Sequence, residues 1–274
     1  MAQIMNLSEN ITRQLISGLS EKSEKPNETL NNSLRLLAKW RSVLIQNTLL
    51  AKEGTHVLQG PLKGLDFIEQ SAEGCHIAKL LGCYEQPLQS HIEKVLIGNY
   101  SKILNIGCAE GYYAVGFAKT MPRVISLAFD TDHNAQEICK KLAQKNEVYS
   151  RVKVGGLFSP RDFEKFSNDA VLVFCDIEGA EEELLDPKIA PALIMMDIIV
   201  ESHECIKKGI TDKLISRFKQ THEIQLVVDD GARQLKNPPV WFTQLSHLDQ
   251  LLATWEWRSG PTPWLVMHSR GKEV

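Results

Sequence analysis

The sequence has no basic run, no C-x-x-C pair and no apolar stretch long enough to span a membrane. With 31 Lys+Arg against 34 Asp+Glu, the net charge is −3, and the basic pairs Lys140 with Lys141 and Lys207 with Lys208 never widen into a patch. A nucleic-acid surface therefore lacks its electrostatic footprint. The six cysteines, at positions 75, 83, 108, 139, 175 and 205, stand far apart. That excludes a zinc or redox motif and leaves reduced thiols as the expectation. The longest apolar stretch, residues 189–200, is interrupted by Pro191 and Asp197, well short of the ~20 residues a membrane span needs. The opening MAQIMNLSEN carries no basic segment ahead of an apolar block. No secretory signal is visible, and a cytoplasmic, non-membrane protein is expected.

What is present is an ordinary globular composition, 274 residues with 43% hydrophobic and 24% charged. Such a chain can bury a core without staples. It divides near residue 100. Residues 1–100 read as a mostly helical extension, with Lys25, Pro26 and Asn27 as a break. Over 29–52, Leu30, Leu34, Leu37 and Leu44 together with Leu36, Trp40, Val43 and Leu50 cover more than one helix face. A helix apolar on two sides is buried on two sides, by its own domain, by a lid, or by a second copy in a homodimer. A short hairpin over 56–59 and 65–67 follows.

From residue 101 to 274 the rhythm becomes strand–helix alternation. Strands are expected over 102–107, 124–130, 151–155, 171–176, 197–201, 223–228 and 264–268. Helices are expected over 111–119, 132–146, 180–185, 210–219 and 245–254, with Ser159 and Pro160 opening another through Phe166. Repeated βα units imply a Rossmann-like α/β fold: a seven-stranded, mostly parallel sheet with helices on both faces. Ligands of such sheets sit at the carboxyl ends of the strands, so the residues just after each strand carry the functional question.

The first strand ends in Asn105, Ile106, Gly107, Cys108, Ala109, Glu110, Gly111 and Tyr112. A dinucleotide fingerprint would need a small residue where Tyr112 stands, which disfavours NAD and FAD. The pattern, an apolar strand, then G-x-x-x-G, then a helix, resembles motif I of the class I S-adenosylmethionine (SAM)-dependent methyltransferases. It departs in Asn105, where an acid is common, and in Ala109, where a middle glycine is usual. Asp130 closes the second strand, and a carboxylate there can accept both hydroxyls of a ribose. The apolar strand ending in Asp176, Ile177, Glu178, Gly179, Ala180 and Glu181 resembles the FkbM-type methyltransferase family, as do Glu201, Ser202 and His203 on the next strand and the Tyr112–Tyr113 pair. The resemblance covers about residues 100–230.

It implies SAM as cofactor, with S-adenosylhomocysteine as product. Asn105, Gly107, Cys108, Ala109, Gly111, Tyr112, Asp130, Thr131, Gly156, Leu157 and Asp176 would bind the cofactor. Asp176, Glu178, Glu201 and His203 would be catalytic. Glu201 and His203 are two apart on a strand and can address one site, and a histidine is a suitable base for a hydroxyl. Glu181, Glu182 and Glu183 suit the first turn of a helix, where the dipole favours them. The same acidic set can hold Mg²⁺ through oxygen ligands, a less favoured arrangement, and no metal ligand is assigned.

The expected reaction is O-methylation of a small molecule such as a natural product or sugar. N-methylation of an amide or amine on a peptide or metabolite is the alternative, and a non-catalytic binding module is the reading from another class. Asn237, Pro238, Pro239, Val240 and Trp241 resemble the N-P-P-aromatic motif of adenine amino-methyltransferases, which belongs after the fourth strand. A rigid loop near the site mouth is the expectation there. Trp241, Trp255, Trp257 and Trp264 are expected either to pack in the core or to line an apolar or sugar-stacking surface.

Overall fold

The computed structural model describes residues 2–20, 25–69, 75–258, 260 and 262–272. Seven strands form one sheet: β1 (Lys102–Ile106), β2 (Ile125–Phe129), β3 (Val152–Gly155), β4 (Val171–Cys175), β5 (Asp197–Glu201), β6 (His222–Val227) and β7 (Trp264–Ser269). Their order is β3-β2-β1-β4-β5-β7-β6. Every pairing is parallel except those of β7, which runs antiparallel to both β5 and β6. The expected strands and helices of the second half are found within one or two residues. The exception in kind is the segment after Ser159, a 3₁₀ helix (Pro160–Phe166) started by a Ser159–Asp162 capping box.

The central strands are apolar throughout because both faces are covered. Val171, Val173 and Cys175 of β4 face one cluster with Leu104, Ile198, Val200 and Phe218. The alternate Leu172 and Phe174 face another with Ile103, Phe117, Ile199 and Val266. The strand order reverses between β1 and β4, with β2 and β3 to one side and β5 to the other. The crevice that binds ligands in open α/β sheets lies at that point.

Helices α1 (Ala2–Ser20) and α2 (Pro26–Glu53) form a hairpin, and Pro26 starts α2 at a position where its missing N–H costs nothing. The two apolar sides of α2 have different fates. Ser42, Ile45 and Leu49 are buried, whereas Leu30 and Leu34 are 59% and 65% exposed. The sequence pattern missed α3 (His76–Leu81) and α4 (Gln89–Leu96) as separate elements. The expected hairpin shrinks to a single antiparallel bridge, His56↔Asp66, because Leu58 N–H is diverted to Leu80 O of α3 at 2.9 Å.

One apolar cluster joins Ile45, Leu49, Leu80 and Leu81 to Cys108, Ala114 and Leu142. These last three belong to the glycine loop, to α5 (Tyr112–Thr120) and to α6 (His133–Lys145). Among the described residues no helix is long and apolar enough to cross a membrane.

Candidate active site

Register alone assembles the site. Gly155 pairs with Phe129, Phe129 with Ile106, Ile106 with Cys175, and Cys175 with Val200. The next residue of each strand therefore falls into one row along the carboxyl edge: Gly156, Asp130, Gly107, Asp176, Glu201. All five line one cavity of about 940 Å³, with Ala109, Thr131, Leu157, Glu178 and His203.

Gly107 has φ +76, and a Cβ there would lie 1.6 Å from the Asp176 carbonyl oxygen. The glycine is required by the close approach of the β1 and β4 ends. Ala109 sits at φ +44, in the left-handed region that costs a side-chain-bearing residue roughly 1–2 kcal/mol. That strain is the physical reason a glycine would suit the position. It is held in place by Asp130, whose Oδ2 accepts Ala109 N–H at 2.8 Å while Oδ1 accepts Asp132 N–H at 2.9 Å. Asp132, not Asp130, caps α6 through Asn134 N–H. Asp130 is thus committed on one side to its own loops, and each oxygen retains acceptor capacity toward the cavity.

Four residues expected to bind cofactor do not line the cavity. Asn105 is buried in the sheet, where its Nδ2 donates to Phe174 O at 3.4 Å. Cys108 is buried beneath the loop. Gly111, at φ +92, would press a Cβ to 2.5 Å from Cys139 Sγ, so it serves the packing of α5 on α6. Tyr112 turns into an aromatic cluster with Phe67, Tyr84 and Tyr113. These four shape the loop from behind.

At the other end of the row, His203 is 4% exposed. Its Nδ1–H donates to Glu181 Oε1 at 2.6 Å, since an ionised carboxylate can only accept. This leaves Nε2 pointing into the cavity, 3.5 Å from Asp176 Oδ1 and 3.9 Å from both Glu178 Oε2 and Glu201 Oε2. Glu181 keeps its expected place in the first turn and takes a second role besides. Glu182 and Glu183 stay outside on Lys207, while Glu181, in the first turn of α7 (Glu181–Leu184), is fully buried and orients the imidazole.

Burial lowers the His203 pKa, but the Glu181 hydrogen bond and the charges of Glu201, Glu181 and Glu178 outweigh it and raise it above 6.5. The Asp176 carboxyl is held well above the usual carboxylate range, first by burial and then by the Glu201 and Glu85 charges. Among the described residues, Asp176, Glu201 and His203 also offer donor atoms within 4.8 Å of one another, the spread a cation would need.

Beneath this cluster lies a charge network that the sequence pattern did not reveal. Arg258 lines the cavity and pairs with Glu201, Glu85 and Glu256. Arg233 joins Glu256 to Asp229, both at 2.6 Å. Asp229 is thus a counter-charge away from the cavity wall. Trp257, at φ +63, presents its ring to Lys39 of α2, 5.2 Å from the centroid. Glu256 and Arg258, opposite charges flanking Trp257 in a tryptophan-rich stretch, were the available signal, since charges in an apolar setting must be paired. Trp264 is core. The N-P-P segment lies outside this cavity: Pro239 stands at the N-cap of a short helix (Val240–Thr243), and Pro238 lines a separate groove with Arg233 and Phe242.

No family model and no curated protein matches the chain. Among solved structures it is similar to a Bacillus cereus O-methyltransferase in complex with S-adenosylhomocysteine, at 12% identity and TM-score 0.43 over 65% of this chain and 77% of that one. It is also similar to the human methyltransferase 10 domain containing protein, at 11% identity and TM-score 0.47 over 85% and 97%. The strand order, with its single reversed strand β7, is that of the expected seven-stranded, mostly parallel α/β sheet.

Proposed function

We propose that this protein is a SAM-dependent methyltransferase of FkbM-like type that methylates a hydroxyl of a small molecule. The observation that carries this reading is the strand-end row, with a ribose-ready carboxylate at one end and an oriented histidine among carboxylates at the other. Gly156 and Leu157 would flank the adenine and Asp130 would take the ribose. Gly107 and Ala109 would let the backbone approach the methionyl part. SAM held there would supply its methyl group to an acceptor oxygen in line with the C–S bond, the bonding pair staying on sulfur as the neutral thioether of S-adenosylhomocysteine. His203 Nε2 would take the hydroxyl proton. Lys39 of α2, lining the cavity with Trp257 and Arg258, supports an acceptor pocket against α2, and the exposed Leu30 and Leu34 support self-association through the same helices.

Asp130→Ala is expected to weaken S-adenosylhomocysteine binding by roughly 100-fold, the scale of two charge-assisted hydrogen bonds, as read by isothermal titration. Unchanged affinity would remove the residue best placed for the ribose and with it the reading.

Asp176 gives a second test. Because its carboxyl titrates high, it is neutral at low pH and gains its charge as pH rises; only the charged form distinguishes the sulfonium of SAM from the neutral thioether product. The affinity ratio of SAM over S-adenosylhomocysteine is therefore expected to grow with pH by at least about tenfold, and Asp176→Asn to flatten it. A ratio independent of pH in the unaltered protein would remove Asp176 from the sulfonium.

A further inference from the structure

Of the lysines and arginines lining the cavity among the described residues, Arg258 is engaged by Glu85, Glu201 and Glu256, and Lys39 stands over Trp257. Lys79 is placed differently. It belongs to α3, in which all six residues are buried, and a lysine survives such burial only when paired. Its Nζ is ion-paired with Glu110 of the glycine loop, the two side chains being 6% and 0% exposed. It also lies 5.0 Å from the Tyr84 ring centroid, and Tyr84 is itself on the cavity wall. The tether to Glu110 holds an ammonium beside Ala109 at the end of β1.

The order of strand ends fixes which part of the cofactor comes there. With adenine beyond β3, ribose beyond β2 and the sulfonium beside Asp176 beyond β4, the amino-acid end has to fold over the loop after β1. That end carries a carboxylate, and a carboxylate leaving water needs a cation or several donors. Asn105, sunk into the sheet, cannot reach it. We propose that Lys79, carried into the site by α3 of the N-terminal region, binds the carboxylate of the cofactor's methionyl end and makes the protein selective for cofactors that retain it. An ammonium has three donors, so Nζ can hold Glu110 and a ligand carboxylate together, as the shared corner of both pairs. The N-terminal helices then complete the cofactor site as well as the acceptor pocket.

The inference rests on the SAM reading, and the experiment separates the two. Isothermal titration of the full chain compares S-adenosylhomocysteine with its decarboxylated analogue, which keeps the aminopropyl thioether and lacks only the carboxylate. The unaltered protein is expected to prefer the former by about 10- to 100-fold, the scale of one charge-assisted contact. Combining Lys79→Gln with Glu110→Gln, so that neither charge is left buried alone, should bring the preference to within about threefold while the analogue's own affinity stays nearly level. Lys79→Arg should retain it. Equal affinity in the unaltered protein overturns the assignment without any variant and leaves the cofactor reading standing. So does an undiminished preference in the folded double variant. Failure to bind either ligand sinks both.

Discussion

Replacing His203 by alanine is expected to cut turnover by about 10²- to 10⁴-fold, the usual worth of a positioned base, with S-adenosylhomocysteine affinity unchanged. The imidazole lies beyond the row that holds the cofactor and touches the carboxylates at the reacting end, so losing it removes a proton acceptor and no cofactor contact. The pH profile makes the assignment specific. A base works unprotonated, and the surrounding carboxylates raise the His203 pKa above 6.5, so the rate should fall on the acid side through a value above that. Glu181→Gln keeps an amide oxygen to accept from Nδ1–H but removes one of the raising charges, and the acid limb should move to lower pH. An unchanged rate in His203→Ala, or a limb that ignores Glu181, would end the base role. Chelation tests the competing arrangement, because a coordinated Nε2 has no lone pair for a proton. Full turnover after chelator treatment and desalting is expected; a loss restored by a divalent cation would instead place the ion on Asp176, Glu201 and His203.

The second large effect lies under the site. Arg258→Ala should destabilise the fold by about 3–5 kcal/mol, the cost of stranding buried charges, or about 10 °C in melting temperature for a domain of this size. Glu85, Glu201 and Glu256 are all below 8% exposed and share this guanidinium. The loss should depend on pH in a set direction. Burial already pushes Glu85 up to about 7 from its ordinary 4.5, against the pull of Arg258. A carboxyl whose folded pKa is raised stabilises fully below its unfolded pKa and loses that contribution as pH rises through the folded value. Stability of the unaltered protein should therefore decline from about pH 4.5 to 7 through this group. Without Arg258 the folded pKa values climb further, so the deficit should be small at pH 5 and large at pH 8. Thermal melts at the two pH values check this; equal deficits would mean that Arg258 acts by packing alone.

How far the sequence alone reaches can be seen in particular residues. Strand periodicity and the residues after each strand were legible because both are local. An apolar strand must end where its backbone leaves the sheet, and Gly107, Asp130, Asp176 and Glu201 announce those ends by chemistry. Once the strands pair in parallel register, the row they form follows without further information. Gly111 and Tyr112 belong to the same local pattern, yet what they touch was not legible, because it is Cys139 of a different helix and Phe67 of the N-terminal region.

Glu181 shows the boundary most sharply. It stands with Glu182 and Glu183 in one helical turn, and nothing local separates the one that turns inward to His203 from the two that stay on the surface. Lys79 meets Glu110 across 31 residues and Arg258 meets Glu85 across 173. A buried charge must find an opposite one, but the sequence does not say which. The strand ends and their order of chemistry were determined by the sequence, through periodicity and turn geometry. The partners of Lys79, Glu181 and Arg258 were decided by the tertiary structure, because ion pairing depends on distance in space and leaves no repeat along the chain.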